Sequence, residues 1–152
     1  MLFRLFKYKR AKRKFIELYN ERFNYHYWNL DRNIKHYTDR LDFILEKFRS
    51  ELERSFFFRD NSFDTCNMLV REYNEELNEY TLYIKRLKKD LSIFLLLYKR
   101  NLLFDEKYDY LVYIKSVIDG FENFYCNKDL EYEIKKCRIQ IKIESMEQDF
   151  VC

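Results

Sequence analysis

The side chains able to perform acid–base, nucleophilic or metal chemistry are few and scattered. Histidine occurs only at His26 and His36. Ten residues apart, the two would lie on different faces of one helix, and neither follows a glutamate at the Glu-x-x-His spacing of a bundle metal site. Cys66, Cys126, Cys137 and Cys152 include no CxxC pair. Cys126 and Cys137 can meet across a turn, but two thiols do not complete a four-ligand site. A single glycine, Gly120, supplies neither a Walker loop nor a dinucleotide-binding fingerprint, each of which needs several glycines to bring backbone N–H groups to phosphate. Glu72, Glu75, Glu76 and Glu79 have the spacing of a solvated helix face. The sequence thus predicts no catalytic residue, no metal, no cofactor and no small-molecule substrate, and the chain is expected not to be an enzyme.

Chemistry of a different kind concentrates in residues 1–14. This basic amphipathic head contains Arg4, Lys7, Lys9, Arg10, Lys12, Arg13 and Lys14 and no acid, with Leu2, Phe3, Leu5 and Phe6 beside them. Residues 15–102 balance fifteen basic against fifteen acidic groups, whereas residues 103–152 carry seven basic and eleven acidic groups. The whole chain reaches +3 with a basic head and an acidic tail. The head suits an anionic membrane, with its basic groups on the surface and Leu2, Phe3, Leu5 and Phe6 inserted. It equally suits a nucleic-acid backbone, where neutralised phosphates give salt-dependent affinity. A targeting presequence and a solvated tail are two further readings. Tyr25, Tyr27 and Trp28, beside His26, are of types that stack on bases, but the spacing favours Tyr27 as core and the others as surface.

The elements that must position these groups are helices. From Ile16, apolar side chains recur at Tyr19, Phe23, Tyr27, Leu30, Ile34, Tyr37, Leu41, Leu45, Phe48 and Leu52, at a mean step of 3.6. A second stripe of equal length runs through Cys66, Val70, Tyr73, Leu77, Tyr80, Ile84, Leu87, Leu91, Leu95, Tyr98 and Leu102. Folding back about residue 59 matches the two. Arg59-Asp60-Asn61-Ser62 is the polar break, with Asp64 or Thr65 as the cap of the second helix. Leu69, Ile93, Phe94 and Leu96 widen the second stripe. A third helix starting near Asp105, with Tyr108, Leu111, Ile114, Ile118, Phe121 and Tyr125 on one face, is its natural cover; residues 101–105 form a turn or only a kink.

The prediction is an all-α fold: a long antiparallel helical hairpin, or short coiled coil, with a third helix packed on it and a short C-terminal helix or strand. By segment, these are the head at 1–14, the hairpin plus third helix at 15–126 and an acidic C-terminal segment at 127–152. In that last segment Leu130, Ile134, Cys137 and Ile141 fit a helix, while Ile139, Ile141 and Ile143 alternate like a strand. Helix is preferred, because a lone strand would leave its backbone unpaired.

One glycine, no proline, a single alanine and an abundance of Phe, Tyr, Lys and Asn are most simply the mark of an AT-rich genome. The aromatic content therefore needs no functional cause. Widely spaced cysteines, no sequon, no secretory leader and no apolar run near ~20 residues point to an intracellular protein, cytoplasmic, organellar or peripheral to a membrane.

The head Met1-Leu2-Phe3-Arg4-Leu5-Phe6-Lys7, followed by the hairpin, a further helix and an acidic tail, resembles in layout the ESCRT-III family of membrane-remodelling subunits over roughly residues 1–125. The resemblance implies an N-terminal membrane anchor, a polymerising hairpin and an acidic region able to fold back on it. The family's hairpin is basic and poor in aromatics, whereas residues 15–102 here are neutral and rich in Phe and Tyr. The function expected is a non-enzymatic interaction or assembly protein that docks through its head on an anionic membrane or on partner subunits, self-association included. The alternative is a nucleic-acid-associated accessory subunit using the same head on phosphates.

Overall fold

A computed structural model describes residues 2–100 and 108–150. Every regular element among them is helical: α1 (Leu2–Phe58), α2 (Asp64–Lys99), α3 (Tyr108–Phe121), a π-helical turn (Glu122–Cys126) and α4 (Leu130–Phe150). The expected turn or kink at 101–105, and Leu102 at the end of the second stripe, lie outside the described residues. α1 runs without a break from residue 2, so no turn sets the head apart from the rest of the helix.

The α1–α2 connection departs from expectation in its capping. Arg59 adopts a left-handed conformation (φ 54°), Arg59 N–H donates to the Phe56 carbonyl at 3.3 Å, and Asp60 N–H donates to the Ser55 carbonyl at 2.9 Å. These paired bonds close the last turn of α1 as a Schellman motif, with arginine where glycine is usual. The Asp60 carboxylate then accepts the Ser62 backbone N–H and hydroxyl at 3.0 and 2.8 Å, which lowers its pKa. The N-cap position of α2 falls on Phe63 rather than on Asp64 or Thr65. Phe63 is also left-handed (φ 51°), its carbonyl accepts Asn67 N–H at 2.8 Å, and its ring is buried. Burial of that ring offsets a backbone conformation that costs a non-glycine residue roughly 1–2 kcal/mol.

The chain divides into two compact units, each containing parts of α1 and α2. The first comprises Met1–His36 and Thr81–Glu122. Here Phe23 meets Phe94 and Tyr110 edge-on, each at 5.4 Å between ring centroids. Leu30, Ile84, Leu87, Leu111, Ile114 and Ile118 complete its core. Helix α3 is further tied to α1 by two hydroxyls: Tyr110 donates to the His26 carbonyl at 2.8 Å and Tyr113 to Asp31 at 2.5 Å.

The second unit comprises Tyr37–Tyr80 and Asn123–Cys152. Tyr37 stacks on Tyr80 at 4.1 Å, and Arg40 pairs with Glu76 at 3.1 Å. The Tyr73 hydroxyl donates to the Tyr125 carbonyl, and the Tyr125 hydroxyl to Asp42, both at 2.7 Å. Phe23 with Phe94 and Tyr37 with Tyr80 are each symmetric about a point between residues 58 and 59, beside the fold point read from the stripes. Asp129 starts α4 by accepting Tyr132 N–H on its carboxylate at 3.0 Å, an N-cap.

Helix α4 resolves the helix-or-strand ambiguity. Over its 21 residues, Leu130, Ile134 and Ile141 are buried, whereas Tyr132, Ile139, Ile143 and Met146 on the opposite side are exposed. At about 100° per residue, Ile139 and Ile143 point away from the side that Ile141 faces. The apparent strand alternation is therefore a helix with two apolar faces.

Two stripe assignments in the first unit need correction. Tyr27, expected in the core, is 52% exposed, and His26 is buried in its place at 2%. The inward file of α1 in this unit is Tyr19, Phe23, His26, Leu30; reading only apolar residues steps over the histidine and rotates the file by one position. On α2 the inward positions after Leu91 are Phe94 and Leu97, with Leu95 half-buried and Leu96 exposed, for the same reason: Asp90, a polar residue, belongs to the core face.

Candidate functional site

The residues singled out in the head occupy the first turns of α1. Residues 2–15 are all exposed, with Leu2 at 87%, Phe3 at 77%, Leu5 at 55% and Phe6 at 72%. The α1–α2 pairing explains this. Phe94 packs on both Tyr19 and Phe23, and α2 ends at Lys99. Residues 2–15 continue past that level by roughly 21 Å at 1.5 Å per residue.

Helical spacing sorts the head's side chains both around and along the axis. Leu5, Leu2, Phe6 and Phe3 share an arc of about 160° over the first two turns, with Arg4 opposite and Lys7 flanking Phe3. Lys9, Arg13, Arg10 and Lys14 occupy that same arc one to three turns later. An apolar end is thus followed on the same side by a basic collar. Lys7 Nζ sits over the Phe3 ring at 5.4 Å, a cation–π contact. Arg4, Lys7, Lys9, Arg10, Lys12, Arg13 and Lys14 have no ion-pair partner among the described residues. Seven unscreened cations beside four solvated apolar side chains form a surface suited to an anionic, partly apolar counterpart.

A buried polar cluster was not apparent from sequence. His26 Nε2 donates to Asp90 Oδ2 at 2.9 Å, and Arg22 Nη1 donates to Asp90 Oδ1 at 3.2 Å. A carboxylate can only accept, so Nε2 carries the proton. The His26 and Asp90 side chains are each 3% exposed, Arg22 is 45% exposed, and His26 Nδ1 has no hydrogen-bond partner among the described residues. A histidine held by an aspartate could act as a base, but this pair is enclosed by Phe94, Tyr83 and Tyr25 and closed to solvent. It links α1 to α2. Its only sequence signal was a histidine and an aspartate each next to a stripe position, Tyr27 and Leu91.

Among the described residues, no group of three or more His, Cys, Asp or Glu side chains is placed to hold a metal ion. Cys66 and Cys137 are free thiols, Cys66 buried, and Cys126 is exposed; Cys152 lies outside the described residues. Burial raises the pKa of both Cys66 and Cys137, which makes them poorer nucleophiles. The Cys137 thiol donates to the Leu52 carbonyl at 3.9 Å beside an apolar groove bounded by Phe56, Phe57 and Phe58. No helix among the described residues is long and apolar enough to cross a membrane. Comparisons with protein-family models, with curated proteins and with solved structures each give no match to this chain.

Proposed function

We propose that this protein is a non-enzymatic helical docking and assembly protein that binds an anionic membrane surface through the N-terminal end of α1. The observation that carries the reading is that residues 2–15 are helical and exposed throughout, with Leu2, Phe3, Leu5 and Phe6 ahead of a basic collar. Each apolar side chain contributes roughly 1.5–3 kcal/mol when fully taken out of water. Each basic group close to an anionic surface adds roughly 1 kcal/mol. Both contributions are needed for lasting attachment without a membrane-spanning segment. A nucleic acid would use the basic collar but would leave the aliphatic side chains Leu2 and Leu5 without a counterpart. The layout resemblance to ESCRT-III subunits agrees with the membrane reading.

The test is co-sedimentation with vesicles containing phosphatidylserine, compared with neutral vesicles and with a variant lacking residues 2–14. The full chain should sediment with the anionic vesicles alone, and binding should weaken with salt as the basic groups are screened. The shortened variant should stay in solution while keeping its helical circular dichroism. Failure of the full chain to bind anionic vesicles at about 0.1 M salt overturns the proposal, as does equal binding by the shortened variant.

A further inference from the structure

The outward side of α1 in the first unit carries a pattern that the head alone does not explain. Opposite the buried file Tyr19, Phe23, His26, Leu30 runs a solvent-facing file at steps of three and four: Phe3, Lys7, Arg10, Lys14, Leu18, Glu21, Tyr25, Trp28, Arg32. All nine positions are exposed, with Leu18 at 45%, Tyr25 at 56% and Trp28 at 77%. The file spans about 44 Å of helix. It contains four cations and one acid, interspersed with one aliphatic and three aromatic side chains. Tryptophan and tyrosine, apolar rings with a polar N–H or O–H, settle at the headgroup level of a bilayer.

We infer that this file is a lipid-docking strip, so that α1 lies along an anionic bilayer surface from Phe3 to Arg32 rather than standing on it by its end. The inference rests on the membrane reading of the head and extends it by about eighteen residues through Phe3, which lies in the file, and Phe6 beside it; Leu2 and Leu5 project from other sides of the first turns and insert only at the helix end. Charge argues for an anionic surface, since the file sets Lys7, Arg10, Lys14 and Arg32 against Glu21, with Glu17 on its flank. Shape argues for a flat one: the file is the convex flank of a helix, with Leu18 and Phe3 inserting where a base-stacking surface would have no use for Leu18. The rings of Tyr27 and Trp28 contact each other at 5.3 Å, and Tyr27 rests on Tyr110 at 4.8 Å. This packing supports Trp28 from the side of α3 while leaving its ring in solvent.

Trp28 is the only tryptophan in the chain and therefore reports on itself. It lies about 39 Å along the helix from Leu2, far outside a headgroup layer entered end-on. Full-length protein titrated with phosphatidylserine vesicles should show a blue shift of Trp28 emission and quenching by lipids brominated in their acyl chains. A Leu18→Ser/Tyr25→Ser variant should bind these vesicles roughly tenfold more weakly while keeping its helical circular dichroism. Vesicle binding without any change at Trp28, or undiminished binding by the double variant, overturns the strip and leaves attachment by the head standing. Absence of vesicle binding removes both. Quenching of Trp28 by an RNA oligonucleotide, with none by brominated lipid, assigns the strip to nucleic acid and overturns the lipid assignment.

Discussion

Asp90→Ala removes the buried carboxylate on which Arg22 and His26 converge. The cost follows from where its partners are left. His26 stays buried with Nε2–H unsatisfied, a penalty of about 1–3 kcal/mol. Arg22, nearly half exposed, turns to solvent, so its share is that of a surface pair and stays below about 1 kcal/mol. A small cavity where the carboxylate packed adds a fraction of this, giving about 2–4 kcal/mol in all. In a chain of this size that corresponds to a fall in melting temperature of roughly 5–15 °C. Urea unfolding followed by far-UV circular dichroism measures it. The same reasoning makes His26→Leu/Asp90→Leu less damaging than Asp90→Ala, because two buried polar groups give way to two apolar ones. A loss below about 1 kcal/mol for Asp90→Ala, or a double variant no more stable than the single one, would refute the argument.

Inside and outside on α4 are separable: Ile141→Lys should unfold the second unit or cost more than about 3 kcal/mol, while Ile139→Lys should stay within about 0.5 kcal/mol of the native chain, both read by thermal melts. Burial raises the pKa of Tyr73, Tyr110 and Tyr125, and pushes Tyr80 from its ordinary 10 up to about 12. The folded chain therefore holds protons that the unfolded chain releases, so this stability is fully present below pH 10 and is lost as pH rises through about 12. Tyrosinate absorbance should accordingly show a late-titrating group of tyrosines whose ionisation coincides with loss of helix. Gly120, exposed within α3 and with nothing within 4 Å of an added Cβ, should tolerate Gly120→Ala with a gain of roughly 0.5–1 kcal/mol in the same melts.

The apolar period of 3.6, the polar break at residues 59–62 and the near absence of glycine determine that the chain is a helical hairpin, because each is a local property that no other regular structure accommodates. The head's composition is equally legible, since charge and apolarity reside in the residues themselves. Tertiary structure decides the fine rotation of each helix. His26 and Asp90 enter the core only because each is the other's partner across 64 positions, and a polar residue considered alone is always assigned to the surface. The same holds for α4, where the side taken by Ile141 rather than by Ile139 and Ile143 depends on which face meets the rest of its unit. The exposure of residues 2–15 depends on the register of α1 against α2, in which Tyr19 meets Phe94 and α2 ends at Lys99. Local periodicity specifies that a face exists; only the partner helix specifies which face is buried, because burial is a property of two surfaces in contact.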